Sequence, residues 1–350
     1  WSRLEEQHSG GKANERLDDS RFYHGVVDFQ VDDIYPNGFP TGRIDYYVES
    51  DNRKRTTKTE ERLRHVDIPE IETSLRKAAE VHKEVRSYIQ SRIHPGLRFW
   101  DLCCDIEDKV RYLVKENGPL DTFLFTFTQG GMGFPTGVSV NHVAAHYTPN
   151  PGDTRRLHYG DVMKLDFGTE VNGYIIDSAF TVAFDPQFSP LLQATHDATL
   201  TGVRESGIDV RLGELGRLIE EVLNSYEVTI YGKSIPVSVV GRCDVVKPVR
   251  NLCGHNIVKG SIHGDKCIPL VAGRSRLVAD AEDSSEVMEE GDIFALETFA
   301  TTGSGVASPC GMTSHYALNK ESEVPSMWGG EEWRRRTKKE EKLLCHLMRT

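Results

Sequence analysis

Asp166 and Asp177 flank the dipeptide Asn172-Gly173 inside two runs rich in β-formers, Met163 to Gly168 and Tyr174 to Phe184. Asn-Gly is the strongest short hairpin signal, because both residues tolerate the positive φ of a two-residue turn. Such a turn makes Val171 and Tyr174 cross-strand partners, sets Asp166 opposite Ala179, and leaves Asp177 two residues nearer the turn on the same face. Diagonal neighbours have Cβ atoms about 7 to 8 Å apart or somewhat less, a span that one or two cations can bridge. Two carboxylates side by side repel unless a cation or a shared proton compensates. The flanking Ile175-Ile176-Asp177-Ser178-Ala179-Phe180 reads as a buried strand, which makes an uncompensated charge costlier. Taken alone, the hairpin reads equally well as a pair of solvent-facing carboxylates.

Later in the chain Glu297 sits in a second apolar strand, Ile293 to Phe299, and His255 and His263 lie close by in sequence. A mixed carboxylate and imidazole set suits Mn²⁺, Fe²⁺, Co²⁺ or Zn²⁺ better than the all-oxygen shell of Ca²⁺. A single histidine in such a place is more often structural. Two in one segment, beside three strand acids, favour a metal site.

Helices must carry these strands. Ile71, Leu75, Ala78, Ala79, Val85 and Ile89 recur at helical spacing until His94-Pro95-Gly96, and Leu102, Ile106, Val110 and Leu113 form a second such run. Ser189-Pro190 opens a third helix (Leu191, Leu192, Ala198, Val203), and a fourth carries Leu215, Leu218, Ile219 and Val222. A weak repeat links the halves: Asp101-Leu102-x3-Ile106-Glu107 answers Glu214-Leu215-x3-Ile219-Glu220, and the strand Gly160 to Asp166 answers Gly291 to Glu297. The pattern predicts an α+β fold made of one duplicated unit with a pseudo-two-fold axis. Residues 1–65 are polar and rich in turn formers, and read as a poorly ordered extension with little core of its own.

At 350 residues with 38% hydrophobic content, the chain can bury a large core, so wholesale disorder is excluded. Its 42 basic against 53 acidic residues leave −11, which argues against a surface that draws nucleic acid as a whole; the basic run Arg334 to Lys339 is local. No apolar stretch approaches the ~20 residues needed to cross a bilayer. Seven cysteines without a CxxC pair suit reduced thiols. These features predict a soluble, cytoplasmic protein with no membrane or specific nucleic-acid partner.

Several strings together resemble the type 2 methionine aminopeptidases. They are Ala144-Ala145-His146-Tyr147-Thr148-Pro149-Asn150, Lys164-Leu165-Asp166-Phe167-Gly168, Ile175 to Thr181, Arg250-Asn251-Leu252-Cys253-Gly254-His255, Ser261-Ile262-His263-Gly264, Met288 to Gly291, Leu296-Glu297-Thr298-Phe299 and Ser314-His315-Tyr316. The resemblance implies the pita-bread fold over residues 66–316. It implies two divalent ions (Co, Mn, Fe or Zn), with Asp177 bridging, Asp166 on one ion, and His255 with Glu297 on the other. His146 and His263 would contact substrate and take part in catalysis together with Glu297, and Phe134, Ile262 and His315 would surround the methionine side chain. The implied reaction removes the initiator methionine from nascent polypeptides whose second residue is small and uncharged, near the ribosome.

The family also carries a fifth ligand, a second bridging glutamate in a Gln-Phe-Glu-His-like strand. The repeat asks for the same acid independently, since Glu297 needs a return-strand partner as Asp166 has Asp177. Residues Thr298 to Lys320 contain no Asp or Glu, and 317–350 read as a charged tail at the start of the type 2 helical insertion. The expectation is a catalytic unit that is incomplete at its C-terminus and poorly active as written. Cys253 stands where the family usually has asparagine, and 121–130, 237–244 and 277–286 look longer than its connections. A competing reading is a non-catalytic pita-bread protein acting as a ribosome- or RNA-associated factor. The missing ligand and the basic run favour that reading, and the four retained ligands oppose it. A proline-specific relative fits less well, because His146 and Ser314-His315-Tyr316 match the type 2 enzymes.

Overall fold

A computed structural model describes residues 30–44, 68–114, 130–230, 242–272, 286–311 and 314. The first half begins with a short helix, α1 (Val31–Ile34), followed by α2 (Ile68–Gln90) and α3 (Phe99–Val114). Three antiparallel strands follow in the order β1-β2-β3: β1 (Gly131–Val140), β2 (Val162–Val171) and β3 (Tyr174–Ala183). The apolar stripes of α2 and α3 pack on this sheet through Val81, Val85, Ile106, Val110, Leu165 and Phe167, all fully or almost fully buried. Val31 joins the same core, with Tyr35 and Phe39 against it, so this part of the stretch read as a polar extension contributes packing.

The second half answers with α4 (Ser189–Glu205) and α5 (Leu212–Asn224). Its short strands are β4 (Glu227–Ile230), β5 (Arg242–Val245), β6 (Lys247–Pro248), β7 (Cys253–Asn256), β8 (Cys267–Pro269), β9 (Phe294–Ala295) and β10 (Ala300–Thr301). One three-stranded sheet runs β8-β7-β9, while β4 pairs with β5 and β6 with β10. The core here is Leu215, Ile219, Leu223, Ile268 and Leu270. Helix α4 buries its small residues Ala194, Ala198 and Gly202, whereas Val203, expected on the buried face, is exposed. The reason is close approach: a Cβ on Gly202 would lie 2.8 Å from Leu296, so the glycine face is the one that fits against the chain. The duplicated helix pair and sheet match the repeat read from sequence.

Between the halves lies a small apolar seam of Ile175 on β3, Ile257 after β7 and Ala295 on β9, with Phe134, Ile262 and Ile293 against it. The functional candidates gather around this seam. His315, the basic run from Arg334 and the charged tail fall outside the described residues, as do most of the three long connections; no acid occurs between Thr298 and Gly311. Among the described residues no helix is long and apolar enough to cross a membrane.

Candidate functional site

The β2–β3 hairpin forms in the register expected from its turn. Val171 pairs with Tyr174, Asp166 with Ala179 and Gly168 with Asp177, and no slip occurs over the ladder. Asn172 and Gly173 both adopt positive φ, 53° and 85°, as a type I′ turn requires. Asp166 and Asp177 therefore share a face by strand alternation. On the opposite face the buried His82 of α2 ties the two strands together, its Nε2 lying 3.1 Å from the Phe167 carbonyl and 3.0 Å from that of Ser178. The ring also stacks on Phe167, 4.0 Å between centroids. Burial lowers the His82 pKa to about 4, so it is neutral and donates one shared N–H to both carbonyls. Nothing in the sequence marks His82 as a support; it reads there as one more residue of an amphipathic helix.

Glu297 is aimed by its neighbours. Leu296 packs on Gly202, and the Thr298 hydroxyl lies 2.7 Å from that of Thr199 and 3.1 Å from the Thr195 carbonyl, both on α4. With residues 296 and 298 held against the helix, the extended chain turns Glu297 the other way, toward the seam. His255 on β7 lies 3.4 Å from Asp177 and 3.5 Å from Glu297 through Nε2, while its Nδ1 faces the Asn256 carbonyl at 3.3 Å. Donation of Nδ1–H to a carbonyl leaves Nε2 directed at the carboxylates, the arrangement that metal-binding imidazoles use.

Asn256, also buried, shapes the next turn. Its Oδ1 accepts from the Lys266 amide at 2.8 Å, its carbonyl accepts from the Gly264 amide at 2.8 Å, and a Cβ on Gly264 would lie 2.5 Å from its amide group. That turn presents Ile262 to the seam and His263 to His255, with ring centroids 4.2 Å apart. Phe134 reaches the same place across β1, whose Phe134 pairs with Gly168; a Cβ on Gly168 would lie 2.4 Å from the ring. His146 adopts φ 64°, and its carbonyl accepts from Ser314 Oγ at 3.0 Å, which ties its loop to the segment just before His315. His146 lines a cleft of about 1790 Å³ together with Lys164, Asn251, Thr298 and Ser314, and is near enough to lower the His263 pKa.

The electrostatics are those of a crowded acid site. Burial, then the Asp177 charge, raises Asp166 to about 7. Burial, then Asp177 and Asp166, raises Glu297 to about 9. Burial pushes His255 down, but its hydrogen bond to Asp177, the Asn256 carbonyl and the Asp177 charge outweigh that and hold it above the ordinary value. Partial burial, then the neighbouring His255, holds His263 below it. Asp166 Oδ1 is buried without a hydrogen-bond partner, a costly state for a carboxylate oxygen.

Among the described residues no three His, Cys, Asp or Glu side chains are already spaced as a closed metal shell. The donors instead contact one another through His255. Anionic groups whose charge is resisted by burial, one orphaned oxygen and an imidazole oriented by a carbonyl together fit a divalent cation. Of the residues expected from sequence, Asp166, Asp177, His255, Glu297, His263, Phe134 and Ile262 come together around the seam. His146 stands beside them, and His315 is not described.

With this geometry in view, comparison with known proteins is informative. The model of metallopeptidase family M24 matches residues 73–321, and the chain belongs to that family. Methionine aminopeptidase 2A of Arabidopsis thaliana is 46% identical over 289 residues, covering 82% of this chain and 59% of the relative. Methionine aminopeptidase 2 of Schizosaccharomyces pombe is 47% identical over 279 residues, covering 80% and 59%. The chain thus spans about three fifths of the length of these relatives. The solved methionine aminopeptidase of Thermotoga maritima, 20% identical, covers 71% of this chain and 87% of its own with a TM-score of 0.52, and shows the shared pita-bread fold. Membership of a metallopeptidase family implies divalent metal at the site.

Proposed function

We propose that the chain carries the metal centre and substrate pocket of a type 2 methionine aminopeptidase, which removes the initiator methionine from nascent polypeptides when the second residue is small and uncharged. The observation that carries this reading is the meeting of Asp177, His255 and Glu297 within 3.5 Å contacts, next to the orphaned oxygen of Asp166 and the apolar pair Phe134 and Ile262.

Asp166, Asp177, His255 and Glu297 would hold two divalent ions; oxygen and imidazole donors do not choose among Co, Mn, Fe and Zn. When bound, such ions supply Lewis acidity to a carbonyl and lower the pKa of a water. The chain's own groups do the rest. Phe134 and Ile262 offer an apolar wall to an unbranched thioether side chain. His263, held below its ordinary pKa, is neutral near pH 7 and can donate an N–H to the carbonyl or the leaving amine. His146, positioned on its left-handed turn, faces the same reacting groups. Glu297 would serve both as a donor to the ions and as the carboxylate that takes and returns a proton. The free thiols Cys103, Cys104, Cys253, Cys267 and Cys310 suit a reducing compartment such as the cytoplasm.

The test is calorimetric titration of the purified chain with Mn²⁺ or Co²⁺, followed by assay of methionine release from Met-Gly-Xaa and Met-Leu-Xaa peptides. Metal binding, weakened at least about 100-fold in Asp177→Asn, is expected, together with release that is slow, as the missing second bridging glutamate implies, and confined to the glycine peptide. A chain that binds neither ion and releases no methionine would overturn the reading.

A further inference from the structure

Cys253 and Cys267 lie on neighbouring strands of the second-half sheet, and the metal reading uses neither. The ladder pairs Cys253 with Pro269 and His255 with Cys267. By strand alternation Cys253, His255 and Cys267 therefore project from one face, the two cysteines being diagonal partners with the imidazole between them in register. Both residues are half-buried, so a small oxidant can reach them. Cys103 is buried in a helix and Cys310 is exposed outside any strand, so among the described residues neither faces another cysteine across a ladder. Strand β8 is a three-residue strand at the sheet edge, paired only with β7 among the described residues.

We propose that Cys253 and Cys267 form a dithiol that closes reversibly to a disulfide on reaction with a hydroperoxide, and that closure impairs the adjoining metal donors. The second clause rests on the metal reading above; the first does not. In the first step one thiolate sulfur attacks a peroxide oxygen, the O–O bond breaks, and water leaves (an alcohol from an alkyl hydroperoxide) with the proton of that thiol, giving a sulfenic acid. In the second, the other thiol attacks that sulfur, the S–O bond breaks, and a second water carries off its proton as the S–S bond forms. Two electrons pass from the sulfurs to the peroxide, and the two thiol hydrogens end in the products. Diagonal positions are too far apart for an S–S bond of about 2.05 Å without backbone movement. Closure therefore draws β8 across β7 on the face that carries His255, displacing the Nε2 that lies against Asp177 and Glu297.

The experiment treats the metal-free full chain with hydrogen peroxide under native conditions, blocks remaining thiols, digests, and maps peptides by mass spectrometry. A Cys253–Cys267 linked peptide, two hydrogens lighter than its parts and abolished by dithiothreitol, is expected. Oxidation at Cys310 without that peptide would overturn the proposal. Cys253→Ser and Cys267→Ser should each abolish the linked peptide, and at least one of them should stop at a sulfenic acid on the remaining thiol that a dimedone probe captures; capture in neither counts equally against the pair. Mn²⁺ should bind the oxidised chain at least about 10-fold more weakly than the reduced chain, and equal affinities would overturn the coupling. If the reduced chain binds no Mn²⁺, the metal reading and the coupling both fall, while the peptide map decides the disulfide by itself.

Discussion

In the first half, Asp166 and Asp177 ride on ten-residue strands whose register is continuous from Val162–Ala183 to Val171–Tyr174; in the second, His255 sits on a four-residue strand and Glu297 just beyond a two-residue one. The first pair is placed by a ladder. The second is placed by helices and by individual ties: Gly202 and Gly216 let α4 and α5 approach, Thr298 bonds back to α4, and Asn256 organises the turn after β7. A site can thus be positioned as firmly by close helix packing as by sheet register, but the two devices fail in different ways. Loss of a hydrogen bond in a long ladder is shared among many others. Loss of one close approach in the second half has no such redundancy.

The largest effect should come from Gly216→Leu. A Cβ there would lie 2.7 Å from the Pro269 carbonyl and 2.9 Å from that of Val271, and backbone cannot retreat as a flexible side chain can. A cost of about 3 kcal/mol is expected. Hydrogen exchange should show β7 and β8 amides losing protection while β2 and β3 keep theirs. Equal loss in both halves would break the comparison.

A comparable or smaller effect, of about 2 to 3 kcal/mol between pH 7 and 9, should appear in the pH dependence of the metal-free protein. Asp166 and Glu297 titrate at about 7 and about 9 in the folded state, against 3.8 and 4.5 for the free groups. In that window the folded state holds protons that the unfolded chain has lost, so stability falls as pH rises. His82 has the opposite sign: folded at about 4 against 6.5 when free, it adds stability as pH rises between those values. The decline should therefore be steepest just above pH 6.5. Urea unfolding of Asp166→Asn should remove the part of the decline that ends near pH 7, and Glu297→Gln the part that continues toward pH 9. A stability that rises from pH 6.5 to 9 in the metal-free protein would contradict these assignments.

Thr298→Val should cost least, about 1 kcal/mol, for hydroxyl contacts to Thr195 and Thr199 on a half-buried helix face. Denaturant unfolding measures it; a cost as large as that of Gly216→Leu would show that side-chain ties, not close packing, dominate the second half.

The sequence was most readable where one local rule decides the outcome. Asn172-Gly173 determines a turn, the turn determines the register, and the register places Asp166 against Ala179 and Asp177 on the same face. The four long helices were legible for the same reason, their apolar spacing being strong. Glu297 was legible through repeat and resemblance, but its strand was expected over Ile293 to Phe299 and forms regular pairing only at Phe294–Ala295. Pairing depends on partners distant in sequence, which local pattern does not reveal. His82 and Asn256 were missed because their roles are made of contacts to carbonyls and amides that become neighbours only in the fold. The Cys253–Cys267 pair was hidden likewise: Cys253 stood out as an asparagine replaced, but its partner is identified by the β7–β8 register alone.

Among the described residues, the tip of the first-half hairpin bonds the second half through one backbone hydrogen bond, from the Gly260 amide to the Gly173 carbonyl at 2.7 Å, with Lys259 lying over the Tyr174 ring. Gly260 itself takes φ 77°, and the turn it belongs to leads into Ile262 and His263. The Ser314 hydroxyl bonds the His146 carbonyl elsewhere along the site and the Ile175, Ile257 and Ala295 seam lies between, so the spacing of Asp177 and His255 is pinned by several joints rather than by their own contact.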